Sequence, residues 1–154
     1  MICGFVIFEL MNITYILLGG NIGDSLQVFQ DCYKQISKDV GDISLKSSCY
    51  ESAPWGFDHP SKFVNQVLKV STLLGPFQLL EKCQLIESQF GRKRNSEEGY
   101  QARVIDIDIL FFNDLVLEEK GLQIPHPRLH LRKFTLLPFS DLNPNFIHPK
   151  LNQS

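Results

Sequence analysis

Two carboxylates stand two residues apart in the stretch Arg103-Val104-Ile105-Asp106-Ile107-Asp108-Ile109-Leu110-Phe111. Its alternation reads as a β-strand, with Ile105, Ile107 and Ile109 on one face and Asp106 and Asp108 on the other. Acids about 7 Å apart on one face repel and are costly to bury. They belong beside water, a cation or cationic side chains. A half-exposed strand with a polar outer face would satisfy that condition, and so would a metal site. Just before the strand, Gly91-Arg92-Lys93-Arg94 and Arg103 supply four cations. Paired aspartates suit magnesium, which keeps waters and uses one or two carboxylates together with substrate phosphates. Arginines offer forked donors to phosphate oxygens. Metal and arginine together point to phosphoryl-type transfer.

Other nucleotide signatures are missing. G-x-x-x-x-G-K-[ST] occurs nowhere, which excludes a P-loop. Gly19-Gly20-Asn21-Ile22-Gly23-Asp24 lacks the dinucleotide spacing and reads as a tight turn that brings backbone close to something. His126 and His130 are four apart, but Pro127 follows the first and no third zinc ligand is evident; His126 suits a phosphate better. Phe63 and Phe134 are candidates to sandwich a flat heterocycle, worth about 0.5–1.5 kcal/mol per aromatic pair beyond area burial. Asn65, two residues after Phe63 on the same strand face, has an amide that both donates and accepts. Taken alone, the aromatics suit a core and the amide suits a strand end equally well.

The elements that must position these groups follow from periodicity. Residues 13–18 form an apolar run ending at Gly19-Gly20, a buried strand and turn. Asp24 opens a helix, with Gln27 in capping-box position and a stripe of Leu26, Phe29, Tyr33 and Ile36, closed by Gly41. Strands are predicted over 43–51 and 63–74, separated by an irregular segment. Gly75-Pro76 opens a second helix with Leu79, Cys83, Ile86 and Phe90 on one stripe, ended by Gly91. The acidic strand follows. This order predicts an α+β, ferredoxin-like (split βαβ) fold, with helices on one face of a mainly antiparallel sheet.

At 154 residues and 44% hydrophobic content the chain suits a single domain, placed at 12–154, after a short extension at 1–11. The net charge of -2 gives no general attraction to nucleic acid or membrane. Four scattered cysteines (Cys3, Cys32, Cys49, Cys83) without a C-x-x-C pair suit reduced thiols and a cytoplasmic protein. The first ten residues lack the positive charge of a signal peptide and are shorter than a membrane span. A ferredoxin-like module binding single-stranded nucleic acid is the main rival; it needs exposed aromatics on the central strands and a basic face. A second enzyme alternative, an aldolase, would need a catalytic lysine and an extra domain that are not visible.

Taken in order, LLGGNIGD, SSCYESAPWG, FVNQV, GRKR, ARVIDIDIL and IPHPRLHLRKF resemble the signatures of the 6-hydroxymethyl-7,8-dihydropterin pyrophosphokinases, over nearly all of residues 12–145. The resemblance implies transfer of the β,γ-diphosphate of ATP to the pterin hydroxymethyl group in folate biosynthesis, releasing AMP, by a monomer that binds two magnesium ions. It places the metal ligands at Asp106 and Asp108 and the stacking pair at Phe63 and Phe134. The pterin-edge amide falls on Asn65, and the loop whose backbone reads the pterin on Ser52, Ala53 and Trp55. Phosphate contacts fall on Arg92, Arg103, His126 and Arg132, with Arg94 a loop cation, and Gln84 and Glu87 lie near ATP. Catalysis is thereby expected from Arg92, Arg103, Asp106 and Asp108. The chain departs from the family pattern at Glu97-Glu98-Gly99-Tyr100, where relatives carry an arginine and a tryptophan, and at Ser52-Ala53, where they carry Thr-Pro.

Overall fold

The computed structural model describes residues 10–56, 58–91 and 103–154. Strand β1 (Asn12–Gly20) is buried on both faces and forms the middle of the sheet. Its near-continuous apolar run is what a strand covered on both sides requires. Helix α1 (Ser25–Asp39) follows, with the Asp24 carboxylate accepting the Gln27 N–H at 3.1 Å. Only half of the expected capping box forms, because the Gln27 amide turns to Asp31 at 3.3 Å. The buried stripe of α1 is Ser25, Phe29, Cys32 and Ile36, while Leu26 is exposed and Tyr33 half-buried. Tyr33 lies at the margin because its hydroxyl hydrogen-bonds the Gln66 side chain.

The strand expected over 43–51 is split into β2 (Asp42–Lys46) and β3 (Tyr50–Ser52). Ser47 causes the break: its hydroxyl accepts the Val67 N–H at 3.0 Å, and its carbonyl accepts the Gln66 amide at 2.7 Å. Side-chain bonds thus replace the regular ladder there. Both short strands pair with β4 (Phe63–Thr72). Helix α2 (Pro76–Gln89) has proline in its first turn, the Gln78 side chain accepting the Gly75 N–H at 2.9 Å, and Leu79, Cys83 and Ile86 buried. The acidic strand β5 (Asp106–Phe112) completes the antiparallel order β2-β4-β1-β5, with β3 beside β4. This is the ferredoxin-like arrangement.

Three features after the acidic strand change the expected layering. A hairpin forms from β6 (Leu117–Glu119) and β7 (Leu122–Ile124). A 3-10 turn at Leu129–Leu131 leads into α3 (Lys133–Leu142). Helix α3 covers the sheet face opposite α1 and α2, so the expectation of helices on one face is corrected. The α1/α2 side buries Ile16, Leu18, Phe29, Ile36, Leu68 and Ile86; the α3 side buries Tyr15, Leu17, Val67, Leu110, Phe111 and Phe139. Each sheet face is apolar in its middle, and each therefore needs a cover. No described helix is long and apolar enough to cross a membrane.

The β1–β5 register shifts between Tyr15 and Ile16, so that Tyr15 opposes Phe111 and Ile16 opposes Ile109. The extra residue, Leu110, lets Leu110 and Phe111 both reach the α3 side. Where β1 ends, Gly20 meets the chain that leads into β5. A β-carbon there would lie 2.4 Å from the Val104 carbonyl oxygen, whereas one at Gly19 would meet only Asn65 Oδ1 at 3.5 Å. Gly20→Ala is therefore expected to cost about 2–3 kcal/mol in urea denaturation, and Gly19→Ala less than about 1 kcal/mol. Equal effects from the two changes would contradict this packing.

Candidate active site

The two aspartates occupy the start of β5, on the face opposite Ile105, Ile107 and Ile109, which are buried among α1 and α2. Pairing then sets their neighbours. Gly19 lies between Asn65 and Asp106, and Leu17 between Val67 and Asp108. The absent side chain at Gly19 leaves a floor between an amide on β4 and a carboxylate on β5, two strand spacings apart, or roughly 10 Å.

Asn21 fixes the approach to β5. Its N–H and that of Ile22 donate to the Arg103 carbonyl at 2.9 and 3.2 Å, and its Oδ1 accepts the Arg103 N–H at 2.8 Å. Its Nδ2 donates to the Ser61 carbonyl at 3.4 Å and lies 3.3 Å from His59 Nδ1. One amide thereby ties together the end of β1, the β3–β4 loop and the segment carrying Arg103. So held, the Arg103 guanidinium pairs with the Asp106 carboxylate. Sequence reading foresaw the close backbone approach at Gly19-Gly20 but missed Asn21; the signal was its place immediately after those glycines at a strand end.

Burial pushes the Asp108 carboxyl up to about 7, reinforced by the Asp106 charge and opposed chiefly by Arg132. About a third of its side chain still faces solvent. His126 is pushed the other way, to about 4, by burial first and the Arg132 charge next. Its Nδ1 accepts the Arg128 N–H at 3.2 Å, so the neutral ring carries its proton on Nε2, which faces Asp108 at 4.0 Å. At neutral pH this is a neutral donor beside a carboxyl group, not an ion pair. Glu87 is 1% exposed, and its Oε1 accepts the Ile107 N–H at 2.8 Å from the opposite side of β5. Expected near ATP, it does border the cleft, yet it also supports the acidic strand from behind.

Two cavities meet at the acidic pair. Ser52, Ala53, Trp55, Phe63, Asn65, Arg132 and Phe134 line a recess whose inner end is Arg103, Asp106 and Asp108. Asn65 is oriented there by donating to Ser52 Oγ at 2.9 Å and to the Tyr50 carbonyl at 3.3 Å. On the other side lies a groove of about 570 Å³, lined by Gln84, Glu87, Arg103, Asp106, Asp108, His126 and the β6–β7 hairpin. The structure therefore brings together every expected site residue that it describes. Arg92, Arg94 and the Glu97–Tyr100 departure lie outside the described residues. Tyr15 of β1 and Phe111 of β5 are covered by α3, so neither is the exposed ring that the single-stranded nucleic acid reading requires.

The raised Asp108 value has a stability consequence whose sign is fixed. An unfolded aspartate ionises near 3.8, whereas the folded group holds its proton to about 7. Its favourable contribution is full below the unfolded value and is lost as pH rises through 7. Asp108→Asn is accordingly expected to stabilise the protein in a chelator at pH 8 by roughly 1–3 kcal/mol, allowing for the exposed third of the side chain. The gain should shrink steadily toward pH 4. Denaturation of both proteins across this range measures it, and a gain independent of pH would contradict the account.

Residues 15–144 match the family model described as 7,8-dihydro-6-hydroxymethylpterin-pyrophosphokinase (HPPK). The 2-amino-4-hydroxy-6-hydroxymethyldihydropteridine pyrophosphokinase of Aquifex aeolicus is 39% identical over 139 residues, covering 90% of this chain and 85% of that protein. The folic acid synthesis protein of Dictyostelium discoideum is 42% identical over 141 residues, 92% of this chain but only 21% of that protein. Among solved structures, wild-type HPPK-DHPS of Plasmodium falciparum with pteroate superposes with a TM-score of 0.78 at 18% identity, over 94% of this chain and 43% of that one. At that identity the likeness establishes the fold alone. Fold, site geometry and the match over most of the chain converge: this chain belongs to the 7,8-dihydro-6-hydroxymethylpterin-pyrophosphokinase family.

Proposed function

We propose that residues 12–154 form one catalytic domain, working as a cytoplasmic monomer, that transfers diphosphate from ATP to the hydroxymethyl group of 6-hydroxymethyl-7,8-dihydropterin and releases AMP. The observation that carries this reading is the junction of the two cavities. Arg103, Asp106 and Asp108 border both the aromatic recess and the wide groove. A flat heterocycle in the recess and a nucleotide in the groove would meet at those three side chains. The recess supplies aromatic faces from Phe63 and Phe134 and a preset amide at Asn65, the combination a pterin edge needs.

The donor set fits magnesium. Asp106 and Asp108 offer hard oxygens on one face, and both keep part of their surface open. Among the described residues no three His, Cys, Asp or Glu side chains gather into a metal cage, and magnesium does not need one when phosphates and waters complete its shell. Two ions held by Asp106 and Asp108 would neutralise charge on the phosphates. Arg103 and Arg132 supply fixed positive charge at the same junction, and neutral His126 supplies a donor from Nε2. Carboxylates engaged by metal are poor bases, so the rate enhancement rests on positioning and electrostatics.

The purified protein incubated with ATP, magnesium and the dihydropterin should release AMP, and only when pterin and metal are both present. Chromatography of the nucleotides checks this; ADP as the product would overturn diphosphate transfer. The double variant Asp106→Ala/Asp108→Ala should lose activity by at least about a thousandfold while keeping its circular dichroism spectrum. Retained turnover in that variant would remove the metal assignment.

A further inference from the structure

Trp55 is the chain's single tryptophan and lies in the loop between β3 and β4, with its side chain partly exposed. The Arg132 guanidinium carbon lies over its ring, 4.5 Å from the centroid, with that of Arg128 farther off at 5.9 Å. Arg132 is buried at the start of α3, and its guanidinium also lies 5.6 Å from the Phe134 ring. The loop has a defined seat because its base is tied to the same helix. Asp141 of α3 accepts the Ser48 N–H at 3.0 Å and the Tyr50 hydroxyl at 2.8 Å. Trp55 thus returns to the N-terminal end of a helix whose C-terminal end already holds β3.

A guanidinium donates within its plane and is weakly hydrated on its faces. An aromatic ring laid on one face therefore fixes the plane without consuming a donor. Arg132 borders the recess beside Asp106 and Asp108, so the direction of that plane decides which oxygens its N–H groups reach. We propose that Trp55 is a positioning residue that sets the Arg132 guanidinium plane and acts on the transfer step through Arg132, not by binding the heterocycle. The proposal rests on the reading of the site given above.

Four variants and one spectroscopic measurement test it. Trp55→Leu should lower kcat about tenfold and leave the KM for the pterin within about twofold, while Trp55→Phe, which keeps a ring face, should stay within about threefold of the parent. Trp55→Leu/Arg132→Ala should be no slower than Arg132→Ala alone, since a residue that works through Arg132 has nothing left to position. In substrate-free protein, Arg132→Ala should change the emission of the one tryptophan. That measurement needs no turnover, so it tests the contact even if the parent protein forms no AMP, a result that would instead remove the functional reading. Multiplying effects of the two substitutions, a raised pterin KM with unchanged kcat in Trp55→Leu, or unaltered emission in Arg132→Ala would each overturn the proposal.

Discussion

Two like charges on one strand face must be held where they can face a ligand without dissolving the sheet that carries them. Alone, Asp106 and Asp108 would repel each other, and Asp108 would prefer its proton. The surroundings limit that cost without removing it. Arg103 neutralises Asp106 directly, the Arg132 charge opposes the rise at Asp108, and Glu87 holds the backbone of Ile107 between the two acids. Behind them, the buried Ile105, Ile107 and Ile109 keep β5 in place by ordinary apolar burial. Each of these neighbours is supplied by a different element, so the sheet, α2 and the turn before α3 are all required to complete one carboxylate pair.

The alternation in RVIDIDILF was enough to put both acids on one face, because strand periodicity is a local property of the backbone. The buried stripe of α2 and the cap of α1 were legible for the same reason. Misreadings arose where a side chain had a choice of neighbours or where a distant segment decided the outcome. Gln27 had two acceptable neighbours and took Asp31. Leu26 fitted the helical spacing but lies beyond the arc that the sheet covers. Ser47 broke the predicted second strand through bonds to residues about twenty positions away. The layer formed by α3 was invisible to a reading that stopped its pattern at the acidic strand.

The site shows the same division. The residues carried over from the family resemblance and described in the structure lie around one junction, which spacing alone had not assembled. Its place after Gly19-Gly20 marked Asn21 as a strand-end residue but not as the clamp on Arg103, since its partners are 38 to 82 positions away. Likewise the pairing of Trp55 with Arg132 joins a loop to a helix terminus and has no local signature. The extra residue at Leu110 is a further case. It resets the alternation beyond the acids, so that Phe111 joins Leu110 on the α3 side and Phe112 turns to the α1/α2 side.

The central place of β1 has a consequence for how the chain reaches its native state. Both of its neighbours come later in sequence, β4 beginning at Phe63 and β5 at Asp106. As the chain emerges from synthesis, the most apolar strand must keep two unpaired edges until the first partner arrives and one until the second. Such edges invite pairing with other chains. The cleft is finished later still, when the chain beyond β5 brings His126, Arg132 and Phe134 to its walls and Asp141 to Ser48 and Tyr50. A chain halted before β5 is thus without a site and still has one edge open to association, which makes an assembled cleft a marker that the vulnerable period of folding has passed.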